Sequence, residues 1–179
     1  MTTEHRASAG SPVLAAITTL FVLILLGFFS HAASADESSL LLNGKAIHLD
    51  SQPGVTYNEN NWGFGLQFDL DPLDNNWVPF LMGSGFKDSN GNMSYYAGGG
   101  LLRRYHFTVG DVPLHFDAGA VAFFMTREGF KDGDAFPGIL PAISLGTKAV
   151  AINMTYIPKV DPKMVPLVFF QLKVNIGSF

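Results

Sequence analysis

The chain has 179 residues, enough for one domain, and its net charge of −4 leaves no basic surface for nucleic acid. It has no cysteine, which excludes disulfides and thiolate metal sites. Hydrophobic residues make up 47% and charged residues only 15%, against about 25% charged in an ordinary soluble domain.

Residues 1–12 are polar, and Val13 to Phe29 is almost wholly apolar. Ala33-Ser34-Ala35 follows, an A-x-A pattern, and then acidic Asp36-Glu37. This predicts a secretory signal peptide over residues 1–35, cut after Ala35. The alternative is an uncleaved anchor, since the run approaches the length of a spanning helix. It is the one long apolar run in the chain. An apolar, Gly-rich chain without repeated runs of that kind fits a membrane β-barrel better than a helical membrane protein.

From Leu40 onward, turn residues divide the chain into eight predicted strands. They are Leu40–Asp50, Trp62–Leu70, Trp77–Ser89, Met93–Phe107, Leu114–Thr126, Gly138–Leu145, Ala149–Ile157 and Leu167–Ile176. In the second, Trp62, Phe64, Leu66, Phe68 and Leu70 alternate with Gly63, Gly65, Gln67 and Asp69. In the last, Val168, Phe170, Leu172, Val174 and Ile176 alternate with Gln171, Lys173 and Asn175. The seventh sets Val150, Ile152, Met154 and Tyr156 against Ala151, Asn153 and Thr155. A polar face poor in charge suits a barrel interior with an apolar outer belt. The prediction is an all-β, eight-stranded antiparallel outer-membrane barrel over residues 36–179. Closure removes the sheet edges that lipid would not tolerate.

An even strand number puts both termini on the periplasmic side and the longer connections outside. His48 then lies at the outer end of the first strand, and Asp88 and Ser89 at the outer end of the third. A His, an Asp and a Ser on one rim suit acyl transfer, with His as general base and Ser as nucleophile or hydroxyl donor. The same stretch, Asp88-Ser89-Asn90-Gly91, is also good hairpin chemistry, with Asn90-Gly91 suited to a type I′ turn.

Gly98-Gly99-Gly100 falls near mid-depth in the fourth strand. Inward glycines leave room inside a small barrel, or else mark curvature and bulges. Pro141 and Pro158 fall on adjacent strands six and seven. Proline cannot donate to a ladder and a closed barrel has no edge to hide it on. Together they predict a local break in the wall, unless they simply end their strands.

On these residues the chain resembles the lipid A palmitoyltransferase family, PagP. The resemblance rests on Ala46-Ile47-His48, on Tyr57-Asn58-Glu59 leading to Trp62-Gly63, on Phe86-Lys87-Asp88-Ser89, and on Leu140-Pro141 through Met154-Thr155-Tyr156-Ile157-Pro158. It covers most of the chain after residue 35. It implies a monomeric barrel in the outer membrane of a Gram-negative bacterium. That barrel would move a palmitoyl chain from a phospholipid donor to a lipid A acceptor, with no metal or cofactor. The resemblance makes His48, Asp88 and Ser89 catalytic, with Asp88 orienting His48 or steadying its charge. It makes Gly100 the floor of an acyl-chain cavity, and Pro141 and Pro158 the flanks of a lateral lipid entrance. Glu59 and Arg127 are expected to contact lipid head groups. Asn43 and Asn61 stand where the family has prolines beside a second gap. The competing readings are a lipid A deacylase or phospholipase on a similar barrel, and a non-enzymatic small outer-membrane barrel.

Overall fold

A computed structural model describes residues 35–50, 53–128, 130–160 and 165–177. Eight antiparallel strands close into a barrel: β1 Ala35–His48, β2 Asn60–Leu70, β3 Trp77–Lys87, β4 Met93–Val109, β5 Val112–Thr126, β6 Phe136–Gly146, β7 Val150–Ile157 and β8 Leu167–Gly177. Each strand pairs with its sequence neighbours, and β1 closes the ring on β8. The first strand starts at Ala35, five residues before the expected Leu40. The signal-peptide reading falls on residues 1–34, which lie outside the described residues, and on Ala35, which opens β1. The third strand stops at Lys87, so Asp88 and Ser89 belong to the connection that follows it.

The predicted alternation holds. On β2, Trp62, Phe64 and Leu66 are exposed, while Gln67 and Asp69 are buried. On β8, Leu172 and Ile176 face out, while Gln171 and Lys173 are buried inside. Tyr95, Tyr105, Ile139, Ile152 and Tyr156 extend the exposed apolar belt onto the other strands. Such a belt around a closed ladder is the surface that hydrocarbon demands.

The interior is filled in layers. Towards the short turns lies a network of buried charges. Arg104 Nε and Nη2 donate to Asp117 at 3.0 and 2.9 Å, and Nη2 also reaches Asp69 at 3.3 Å. Lys173 Nζ donates to Asp69 at 2.9 Å and Gln67 Nε2 donates to the other Asp69 oxygen at 2.6 Å. Four groups from four strands thus hold two positive charges against two negative ones. Next towards the rim, Phe80, Leu102 and Val121 form an apolar layer. Beyond it, Asn43 Nδ2 donates to Ser84 Oγ at 2.7 Å, and Gln171 Nε2 donates to Asn43 and to the Tyr96 hydroxyl. Ala46, Phe86 and Phe169 make a second apolar cluster closer to the rim.

A buried charge network holds only while every member has a partner. Arg104→Met keeps the side-chain length but strands Asp117 in the interior. We expect it to lower stability by about 3 kcal/mol or more. Denaturant unfolding of the detergent-solubilised barrel, followed by the loss of the fast-migrating folded band, measures this.

Candidate active site

The connection from β3 to β4 has five residues, and Asp88 and Asn92 pair across it to enclose a three-residue loop of Ser89, Asn90 and Gly91. Asp88 N–H donates to the Asn92 carbonyl at 2.7 Å, and Gly91 N–H donates to the Asp88 carbonyl at 3.0 Å. Gly91 has φ +87°, while Ser89 and Asn90 stay at negative φ. The loop is therefore a type I turn followed by a left-handed glycine, and the type I′ expectation is corrected. The reason lies in the Asp88 carboxylate. One oxygen accepts the backbone N–H groups of Asn90 at 2.9 Å and Asn92 at 3.0 Å, which fixes the wider loop. This sets Ser89 at the first corner of the turn, on the rim.

His48, the last residue of β1, meets Ser89 there. Its Nε2 lies 3.1 Å from Ser89 Oγ. Tyr57 stacks on the imidazole, with ring centroids 4.4 Å apart and 18° between planes. Glu59 Oε1 lies 3.7 Å from Nδ1. The loop carrying Tyr57 and Glu59 is stitched to the turn. Asn58 N–H donates to the Ser89 carbonyl at 2.8 Å and Asn58 Nδ2 to the Asp88 carbonyl at 2.9 Å. Partial desolvation raises the Glu59 carboxyl, but a hydrogen bond from the His48 backbone and the charge of Lys45 outweigh it, so its pKa sits below the ordinary value.

Asp88 points elsewhere. Its second oxygen takes Ser94 Oγ at 3.3 Å and lies 3.4 Å from Arg127 Nε. Among the described residues no cluster of His, Asp and Glu is arranged to hold a metal ion.

Below the rim lies an apolar cavity of about 100 Å³ that opens at its mouth. Asp88, Ser89 and Arg127 stand at its mouth, Phe86 and Phe169 line its upper wall, and Met82, Val121 and Leu140 lie deepest. Gly100 faces inward below this space but does not line it. A Cβ there would stand 2.6 Å from the Phe80 ring and closer still to the Ala120 carbonyl oxygen. The room that Gly100 leaves is taken by Phe80. On the cavity's flank, the β6–β7 ladder runs only from Gly146↔Ala151 to Ala142↔Thr155. Pro141 is the next residue on β6, and Pro158 follows the last residue of β7. Above Ala142 the two strands part while each keeps its other neighbour. The β1–β2 wall, by contrast, is bonded up to the Ala46 N–H and the Glu59 carbonyl, 3.0 Å apart.

The family model described as antimicrobial peptide resistance and lipid A acylation protein PagP matches residues 34–172. The chain belongs to the PagP family. The lipid A acyltransferases PagP of Bordetella pertussis and Bordetella bronchiseptica are each 30% identical over 127 residues, covering 68% of this chain and 66% of theirs. The chain thus spans just under two thirds of the length of these curated PagP relatives. Two solved structures of Yersinia pestis Ail match with a TM-score of 0.40. The one in a phospholipid bilayer nanodisc is 14% identical and covers 79% of this chain and 99% of Ail. The crystal structure is 15% identical and covers 78% and 97%. That likeness is too loose to bear on the site.

Of the three residues that the PagP resemblance makes catalytic, His48 and Ser89 touch, and Asp88 adjoins them through the backbone of the turn. Its carboxylate serves the turn and Arg127 rather than the imidazole. The groups that do face the imidazole from the loop are Tyr57 and Glu59. Sequence reasoning used Tyr57 only as part of a motif and gave Glu59 to head groups. Their place depends on how a loop without periodicity folds back, which no local pattern reports. For Asp88 the expected outcome is distinct from that of its neighbour. Asp88→Ala removes the charged acceptor of two turn N–H groups, those of the exposed Asn90 and the half-buried Asn92, and we expect a loss of about 1–3 kcal/mol in stability. Ser89→Ala should unfold at the wild-type denaturant midpoint. Parallel unfolding titrations of the two variants check this.

Proposed function

We propose that this protein is an outer-membrane acyltransferase that moves a palmitoyl or similar chain from a glycerophospholipid to lipid A. The observation that carries the reading is the 3.1 Å contact between His48 Nε2 and Ser89 Oγ at the mouth of an apolar cavity. Membership of the PagP family and the names of its curated relatives support it. In this reading the donor's acyl chain enters through the parted wall beside Pro141 and Pro158. It lies in the cavity, and its ester carbonyl stops at the rim.

His48 Nε2 takes the proton of the acceptor hydroxyl, directly or relayed through Ser89. The acceptor oxygen bonds to the acyl carbon, the ester bond to the donor's glycerol oxygen breaks, and the imidazolium returns its proton to that oxygen. Arg127, held by Asp88, supplies positive charge near the carbonyl oxygen or a phosphate. The side chain of His48 is only 6% exposed, which favours a lipid hydroxyl over bulk water as the attacking group. One barrel carries every group named, so a monomer suffices.

Lipid extracts of Gram-negative cells with and without the protein test this. A gain of one acyl mass on lipid A, with matching lysophospholipid, is expected. A loss of acyl mass makes the protein a hydrolase, and unchanged lipids leave a non-enzymatic barrel. His48→Ala and Ser89→Ala should each cut transfer on the order of 10²–10⁴-fold while the barrel stays folded on unboiled gels.

Chain-length preference tests the cavity. Gly100→Ala would press both on Phe80, beneath Met82 and Val121, and on the Ala120 backbone carbonyl of the neighbouring strand, so it raises the floor only as the wall shifts to take it, whereas Met82→Ala would deepen the floor. A buried methylene is worth about 0.8 kcal/mol, so each one lost or gained shifts selectivity about fourfold. Mixed-chain phospholipids should report a shorter preferred donor for Gly100→Ala and a longer one for Met82→Ala. Coincident profiles in folded, active variants would remove the acyl chain from that depth.

A further inference from the structure

We infer that Glu59 is the positioning carboxylate of this site: it holds the proton of His48 on Nδ1 and leaves Nε2 free to act as base towards Ser89. The task of Nε2 rests on the acyl-transfer reading, but the protonation pattern itself does not.

A neutral imidazole carries one donor and one acceptor nitrogen. For Nε2 to accept from Ser89 Oγ at 3.1 Å, the proton must sit on Nδ1. That nitrogen is buried and has no hydrogen-bond partner within reach. A buried N–H in that state is costly. Glu59 Oε1, at 3.7 Å, is too far for a hydrogen bond but near enough to become one by a small rotation of an exposed side chain. Catalytic hydrogen bonds are often long in an unliganded enzyme and tighten when substrate binds.

The surroundings leave the ring little choice. Tyr57 covers one face of it. The Glu59 backbone is fixed by the hydrogen bond from the Ala46 N–H to its carbonyl at 3.0 Å. The other Glu59 oxygen lies 3.5 Å from Lys45 Nζ, which keeps the carboxylate charged. Asp88 is already committed to Asn90, Asn92, Ser94 and Arg127. The charged and titratable groups about His48 are therefore Glu59 and Tyr57 from the β1–β2 loop, and Lys45 and Asp50 from its own segment. From the β3 turn and the residue after β5 comes the Asp88–Arg127 pair. Glu59 is paired with Nδ1.

The test is ¹⁵N NMR of the folded full-length barrel in detergent without substrate, with His48 assigned through His48→Ala. The expected wild-type signal is a neutral ring protonated at Nδ1. In Glu59→Gln the share of rings protonated at Nε2 should rise, because the charged acceptor facing Nδ1 is lost. Transfer should fall about tenfold or more, and Glu59→Asp should recover part of both. A wild-type ring protonated at Nε2, or an unchanged tautomer balance in Glu59→Gln, overturns the assignment. If Glu59→Gln does not fold, the wild-type tautomer and Glu59→Asp decide it. The NMR outcome needs no acyl transfer, so it separates failure of this inference from failure of the proposed reaction.

Discussion

The sheet must close. A strand in hydrocarbon has no water to satisfy its outer backbone groups, so each edge needs another strand. Here β1 meets that demand by pairing with β8. Eight strands give a ring whose bore is only as wide as the side chains that fill it. Everything inside is therefore a choice between filling the bore and leaving it open. Towards the short turns the chain fills it with Asp69, Arg104, Asp117 and Lys173. Towards the rim it leaves apolar space, bounded by Phe86, Phe169, Met82 and Val121.

The two carboxylates near the rim divide the work. Asp88 is spent on shape: it sets the turn that presents Ser89, and it holds Arg127 at the mouth. Glu59 comes from the neighbouring loop and faces the imidazole. Asn58 ties that loop to the same turn through the Asp88 and Ser89 carbonyls. Two connections that are not consecutive in the chain thus make one surface.

The barrel was legible because lipid and interior differ so strongly that β2, β7 and β8 alternate residue by residue. Strand parity alone then brought His48 to the rim where Asp88 and Ser89 stand. Other features were decided by contacts that no period encodes. Asn90-Gly91 reads as a two-residue turn until the Asp88 side chain accepts two backbone N–H groups and widens it. Asp36-Glu37 reads as the acidic stretch behind a cleavage site, yet Glu37 is buried in β1 with Lys148 3.6 Å away. Gly100 reads as empty space, and only the Phe80 ring shows what fills it. The parting of β6 from β7 was legible for a simple reason: proline's missing N–H is a property of the residue and not of its surroundings.

That parting also makes the molecule mechanically uneven. From β1 to β6 the wall is ladder-bonded up to the rim, and β7 is bonded to β8 along its whole length. Among the described residues, the ladder that stops short of the rim is the one between β6 and β7. A ring of equal stiffness, squeezed by the lateral pressure of the surrounding lipid, would ovalise with no preferred axis. This one yields first along a single line. Ser89, on the β3 turn, and His48, at the end of β1, lie away from that line and are joined through the ladder-bonded β1–β2 and β2–β3 walls.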